Sequence, residues 1–126
     1  MLSKFNPRGV QANPNYSHIA QIAGASNIVF VSGQVGTRDD NSIPESFEEQ
    51  VEAVFSKIAV ALDAAGLNMG HIAKITTFLT NEADLTAYRA AAARHLPTPP
   101  PASSLVFVKA LILPALRVEV EAVAVS

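Results

Sequence analysis

The strongest constraint on this fold is a proline brake set between a helical run and two β-rich runs in the last third of the chain. Pro97 and Pro99-Pro100-Pro101 follow a stretch running through Leu85, Tyr88, Ala92 and Leu96, whose Ala90-Ala91-Ala92-Ala93 core has high helix propensity. Proline lacks the amide hydrogen and forces the residue before it out of helical conformation, so the chain must leave this helix extended. Two β-rich runs follow, Ser104 to Val108 and Leu116 to Val125. Alternate side chains of a strand share a face. Val118, Val120, Ala122 and Ala124 therefore form an apolar, core-facing row, and Arg117, Glu119 and Glu121 take the opposite face.

Upstream, Ser46-Phe47-Glu48-Glu49 reads as a capping box, the serine oxygen accepting an orphan N–H and Glu49 reaching back. Phe47, Val51, Val54, Ile58 and Leu62 then make one apolar stripe of an amphipathic helix, which Gly66 closes as a left-handed C-cap. Asn27 to Gly33 is a short β-branched strand, and Tyr16 to Ala23 a weaker one joined to it as a hairpin through Gly24-Ala25-Ser26-Asn27. Gly33 and Gly36 bracket a turn. Residues 1–15, broken by Pro7, Gly9 and Pro14, read as an irregular arm. Ile72 to Leu79 is a third strand, and Asn81 or Asp84 caps the second helix. The order β-β-α-β-α-β-β predicts a single α+β domain over 1–126, a sandwich with two helices on one face of a mixed sheet.

That arrangement leaves the other sheet face without a helix. With 49% apolar and only 16% charged residues, the expected cover is another copy of the chain. The net charge of −2, with no run of like charges longer than two, leaves no electrostatic footprint for nucleic acid or an anionic membrane. Cysteine is absent, which excludes disulfides, thiol nucleophiles and thiolate metal sites. His18, His71 and His95 have no partners at metal-ligand spacing, so no metal is expected. His18 is read as a strand-surface residue. Neither a G-x-S-x-G elbow nor a phosphate-cradling glycine loop occurs, and no cofactor is expected. The N-terminus lacks the apolar core of a signal peptide and no apolar stretch reaches the ~18 residues of a membrane span, which gives a cytoplasmic reading.

Several stretches occur in a specific order and spacing: Tyr16-Ser17-His18, Val29 to Gly36, Ala64-Ala65-Gly66, Ile72 to Phe78, Pro101-Ala102-Ser103 and Val118 to Ala124. In these the chain, from Tyr16 to Val125, resembles the YjgF/RidA family, also known under the older label L-PSP endoribonuclease. The resemblance implies a chorismate-mutase-like fold, a homotrimer, and small-molecule clefts between adjacent subunits. In its characterised branch the family hydrolyses reactive enamines and imines of 2-amino acids. There an arginine just after Pro-Ala grips the substrate carboxylate, and a glutamate on the last strand positions the attacking water.

Here the arginine position is Ser103. A neutral hydroxyl cannot replace a charged planar fork, and losing such a pair to a desolvated carboxylate costs on the order of 2–5 kcal/mol. The glutamate aligns with Glu119, with Glu121 as the alternative; apart from the resemblance, the two read as a solvated face on which Arg117 stabilises both carboxylates. Tyr16 matches a tyrosine at the cleft mouth, and Ser32-Gly33 a place where backbone approaches ligand, which Gly33 permits by lacking a Cβ. Arg89 is either a substitute clamp or an exposed helix arginine. Two functions follow: a cleft enzyme hydrolysing a small imine, enamine or carbonyl compound with altered specificity, or a non-catalytic ligand-binding or protein-interaction trimer. The acidic balance and the lack of a basic stripe disfavour RNA cleavage.

Overall fold

The amphipathic stripe forms helix α1 (Phe47–Ala64) in the computed structural model, which describes residues 1–126. Ser46 is its N-cap, extended and accepting the Glu49 N–H at 3.3 Å. The reciprocal half of the capping box is missing, because Glu49 turns to Arg38 at 3.1 Å instead. Val51, Val54, Ile58 and Leu62 are fully buried. Gly66, at φ +74°, closes the helix in the left-handed region where a Cβ would be strained.

Four strands make the main sheet: β3 (Ile28–Val35), β4 (Ile72–Leu79), β5 (Ala102–Phe107) and β6 (Val118–Val125), in the order β3-β6-β4-β5. β4 and β5 are parallel, joined through helix α2 (Leu85–Ala93), and the other pairs are antiparallel. A parallel pair needs such a crossover, and it brings α2 onto the face already covered by α1. The predicted alternation of β6 holds: Val118, Val120, Ala122 and Ala124 are buried among Val54, Ile58 and Ile75, while Glu121 is exposed on the opposite face. That outer face has no helix over it. Phe30 is 77% exposed there, with Ile28 and Val106 also open to solvent, so an apolar surface is left that a second copy of the chain would remove from water.

The N-terminal expectations need correction. Leu2–Phe5 is strand β1, paired antiparallel with β2 (Ile19–Ile22) as a separate two-stranded sheet, Leu2 opposite Ile22 and Phe5 opposite Ile19. The arm is therefore not irregular throughout, and β2 forms no hairpin with β3. β3 pairs with β6, Val31 opposite Ala122, because that places Val29 and Val31 on the core face. β3 also runs through Gly33 to Val35, past the expected turn.

The second helix differs at both ends. Asn81 caps a short 3₁₀ turn, Glu82–Asp84, by accepting the Ala83 N–H at 2.9 Å. Asp84 occupies the cap position of α2 but makes no capping bond. Its carboxylate instead accepts Arg117 Nε at 3.1 Å and Nη2 at 2.5 Å, a bidentate pair. Arg117 also lies over the Phe47 ring, 5.0 Å from its centroid. It therefore does not stabilise Glu119 and Glu121. α2 ends at Ala93, and the chain descends to Leu96 through turns in which Ala92 O accepts from His95 and Leu96.

One buried polar side chain ties these layers together. Gln50 on α1 is 1% exposed. Its Nε2 donates to Pro44 O at 3.0 Å and Ala115 O at 2.9 Å, and its Oε1 accepts the Arg117 N–H at 2.9 Å. Gly36 lets the chain pass against it: a Cβ there would lie 2.6 Å from Gln50 Cβ.

Candidate ligand cavity and outer-face carboxylate

The crossover through α2 and the proline segment leave a cavity of about 480 Å³ between α2 and the edge strand β5. The register of β5 decides what enters it. Ser103 lies opposite the buried Ile75 of β4, so Ser103, Leu105 and Phe107 face the helix side of the sheet, and all three line the cavity. Ala92 and Ala93 face them from α2. Ser103 on the strand and the two alanines on the helix are small and leave space between the elements unfilled, against the usual close packing of an interior.

Tyr16 reaches the cavity because its neighbour is tied down. Ser17 N–H donates to Pro101 O at 3.2 Å and Ser17 Oγ donates to Pro100 O at 2.6 Å, fastening the N-terminal arm to the proline segment. Tyr16 meets His18 edge-on at 5.1 Å, and His18 Nε2 is 2.8 Å from Gln11 O, so this histidine serves the arm rather than the cavity. Arg89 sits at the rim. It is exposed, joins none of the four ion pairs of the chain, and is the only charged residue lining the cavity.

Tyr88 forms part of the floor, its hydroxyl 2.7 Å from Thr77 Oγ1 and its ring stacked on Phe55. Burial pushes its phenol up to about 12, against a smaller downward pull from the Thr77 hydrogen bond. The unfolded chain would ionise Tyr88 near 10, so the folded form holds the extra proton between those values. The stability it contributes is complete below pH ~10 and falls as pH rises toward 12, by on the order of 2 kcal/mol. Denaturant midpoints between pH 9 and 11.5 should show this decline, and Tyr88→Phe should flatten it.

Glu119 and Gly33 lie elsewhere. Glu119 pairs in register with Phe78 of β4 and Val35 of β3, on the face opposite Ser103 and Ile75. A bulge between Val31 and Gln34 brings Gly33 beneath the Glu119 carboxylate, and a Cβ there would lie 2.9 Å from Glu119 Cδ and overlap the nearer oxygen. Gly33 therefore acts by its missing side chain, inside a strand and not at its end. Glu121, one step along the same face, pairs with Thr76 and is exposed. The expected site residues thus fall into two groups. Tyr16, Ser103 and Arg89 surround the cavity, while Glu119 and Gly33 occupy the other side of the sheet.

Sequence reasoning missed Leu105, Phe107 and Asn15 as cavity residues. The strand period counted from Ser103 identifies the first two; nothing in the sequence points to Asn15. No group of three His, Cys, Asp or Glu side chains is placed to hold a metal ion, and no helix is long and apolar enough to cross a membrane. Chemically, the cavity offers hydroxyls, an apolar floor and one guanidinium, and the outer face offers a carboxylate able to accept a proton from water.

Comparison with known proteins agrees with this architecture. Residues 8–126 match the family model described as Endoribonuclease L-PSP. The mitochondrial protein MMF1 of Saccharomyces cerevisiae is 31% identical over 116 residues, covering 91% of this chain and 79% of its own; the cytoplasmic expectation did not include that compartment. A Rid-family protein of unknown function, YyfB from Yersinia pestis, superposes with a TM-score of 0.87 at 24% identity, covering 99% of this chain and 98% of its own. Escherichia coli TdcF, solved with bound serine, superposes with a TM-score of 0.74 at 27% identity, with 91% of each chain covered. With the motifs, the sheet order and the family model in agreement, the chain belongs to the endoribonuclease L-PSP family, the YjgF/RidA family that its sequence resembles.

Proposed function

We propose that this protein is a homotrimeric, small-molecule-binding RidA-like hydrolase whose site is shared between two subunits. The observation that carries this reading is the division of the candidate residues between opposite faces of one sheet. A ligand in the cavity cannot reach Glu119 of its own chain, so the outer face of a neighbouring copy has to supply the carboxylate. Oligomerisation would also bury Phe30 and the apolar face around it. One wall, with Tyr16, Ser103 and Arg89, would hold the ligand. The other, with Glu119 over Gly33, would orient water for attack on the carbon of a C=N or C=O bond.

Ser103 sets the specificity of this site through the charge it lacks. Hydrolysis of short 2-imino acids, which present little besides a carboxylate to grip, should be slow. The test is ammonia release from freshly generated 2-iminobutanoate by the wild-type protein and by Ser103→Arg. A gain in kcat/KM of about 30-fold or more is expected for Ser103→Arg, corresponding to a charge-assisted pair of ~2 kcal/mol or more. Rapid wild-type turnover, retained in Ser103→Ala, would remove Ser103 from any role in specificity. Ligand binding without turnover of any imine or carbonyl compound would favour the second reading, a non-catalytic binding trimer, to which the neutral Ser103 also lends support.

A further inference from the structure

We infer that the ligand of this site is an amphiphilic carboxylate, an acid with an apolar tail of several carbons, bound with its tail in the cavity and its anionic end at Arg89. The inference rests on the reading above only for which wall holds the ligand. Three observations carry it. The floor is apolar: Ile75 and Ala92 are buried, Leu105 closes one side, and Tyr88 commits its hydroxyl to Thr77 and contributes ring carbon. At about 480 Å³ the cavity is larger than a three- or four-carbon acid requires, and falls within the usual range of small-ligand pockets. The one charge on its lining is cationic and sits at the rim, on the helix and not at the strand position.

The geometry thus displaces the anion site. Ser103 and the alanines opposite it form part of the space itself, so a tail can lie where a strand arginine would project. A ligand entering tail first would desolvate its methylenes against Ile75 and Leu105 and leave its carboxylate at Arg89, which has no protein carboxylate to release beforehand. The surrounding chain does not oppose an anion there: the cavity lining holds no aspartate or glutamate.

Calorimetric titration with stable 2-oxo acids tests this, from 2-oxobutanoate to 2-oxooctanoate, with hexanamide as a neutral probe. Affinity should rise about fourfold for each added methylene, the value of ~0.8 kcal/mol per buried CH₂. Arg89→Gln should weaken every acid by about tenfold or more and leave hexanamide unchanged. Ala93→Phe changes an exposed residue on the lining, so it fills the cavity with little risk to the fold; it should abolish the gain with chain length and spare the shortest acid. A flat series, or an Arg89→Gln variant that binds acids like the wild type, overturns the inference. A flat series alongside Glu119-dependent imine hydrolysis overturns this inference alone. A rising series without hydrolysis upholds it and removes the catalytic reading.

Discussion

Glu119→Gln is expected to lower turnover of an imine substrate by about 10²–10⁴-fold, the usual contribution of a positioned general base, while leaving ligand affinity nearly unchanged. The amide keeps the shape of the side chain but cannot take a proton from water. Its neighbour provides a graded control. Gly33→Ala places a Cβ against the Glu119 carboxylate, which is the movable end of a flexible side chain, so the carboxylate shifts and the fold survives. Turnover should fall less than in Glu119→Gln, with KM again little altered. Steady-state ammonia release, resolved into kcat and KM, separates these outcomes from a binding defect. Glu121→Gln should have little effect, because that carboxylate is exposed and does not lie over Gly33.

The largest loss of stability away from the site is expected from Gln50→Leu. Leucine fits the volume but leaves three backbone groups without their partner: the buried carbonyl of Pro44 and, less deeply placed, the carbonyl of Ala115 and the N–H of Arg117. The buried Pro44 carbonyl left unsatisfied costs about 1–3 kcal/mol and the two part-buried groups, which water can reach, less, so the variant should lose about 2–4 kcal/mol. That is a large share of the ~5–15 kcal/mol available to an ordinary domain. The damage should spread to β6, because Arg117 N–H marks its start and the Arg117 side chain holds Asp84 ahead of α2. Urea unfolding at one fixed protein concentration measures it, since any subunit association shifts the midpoint by mass action. A loss within 1 kcal/mol would mean that water replaces the amide.

The elements legible in the sequence were those with a strong period or a strong stop. The stripe from Phe47 to Leu62, Gly66 as a C-cap, the proline brake and the alternation from Val118 to Ala124 all have counterparts in the fold. What escaped depended on distant partners. Leu2–Phe5 is a strand only because Ile19–Ile22 lies beside it, and four residues carry too little pattern to announce that. Asp84 looks like a cap until Arg117, 33 residues away, claims its carboxylate. Gln50 gives no sign in the sequence of being the most connected polar group in the core. At the candidate site, the sequence names residues and says nothing of the sheet face each takes. The resemblance assigns Ser103 and Glu119 to one cleft, whereas the register, Ser103 with Ile75 and Glu119 with Phe78, puts them on opposite faces of the sheet.

That division is the centre of the account, and the absence of native cysteine makes it directly measurable. Ser32→Cys, beside Gly33 on the outer face, combined with Ser103→Cys in the cavity, creates one thiol on each proposed wall. Treatment with a short bis-maleimide should yield covalent dimers and trimers on a denaturing gel, and neither single variant should form the trimer. Complete modification of both thiols with only monomer on the gel would show that the two walls do not meet across subunits, and would contradict the shared site.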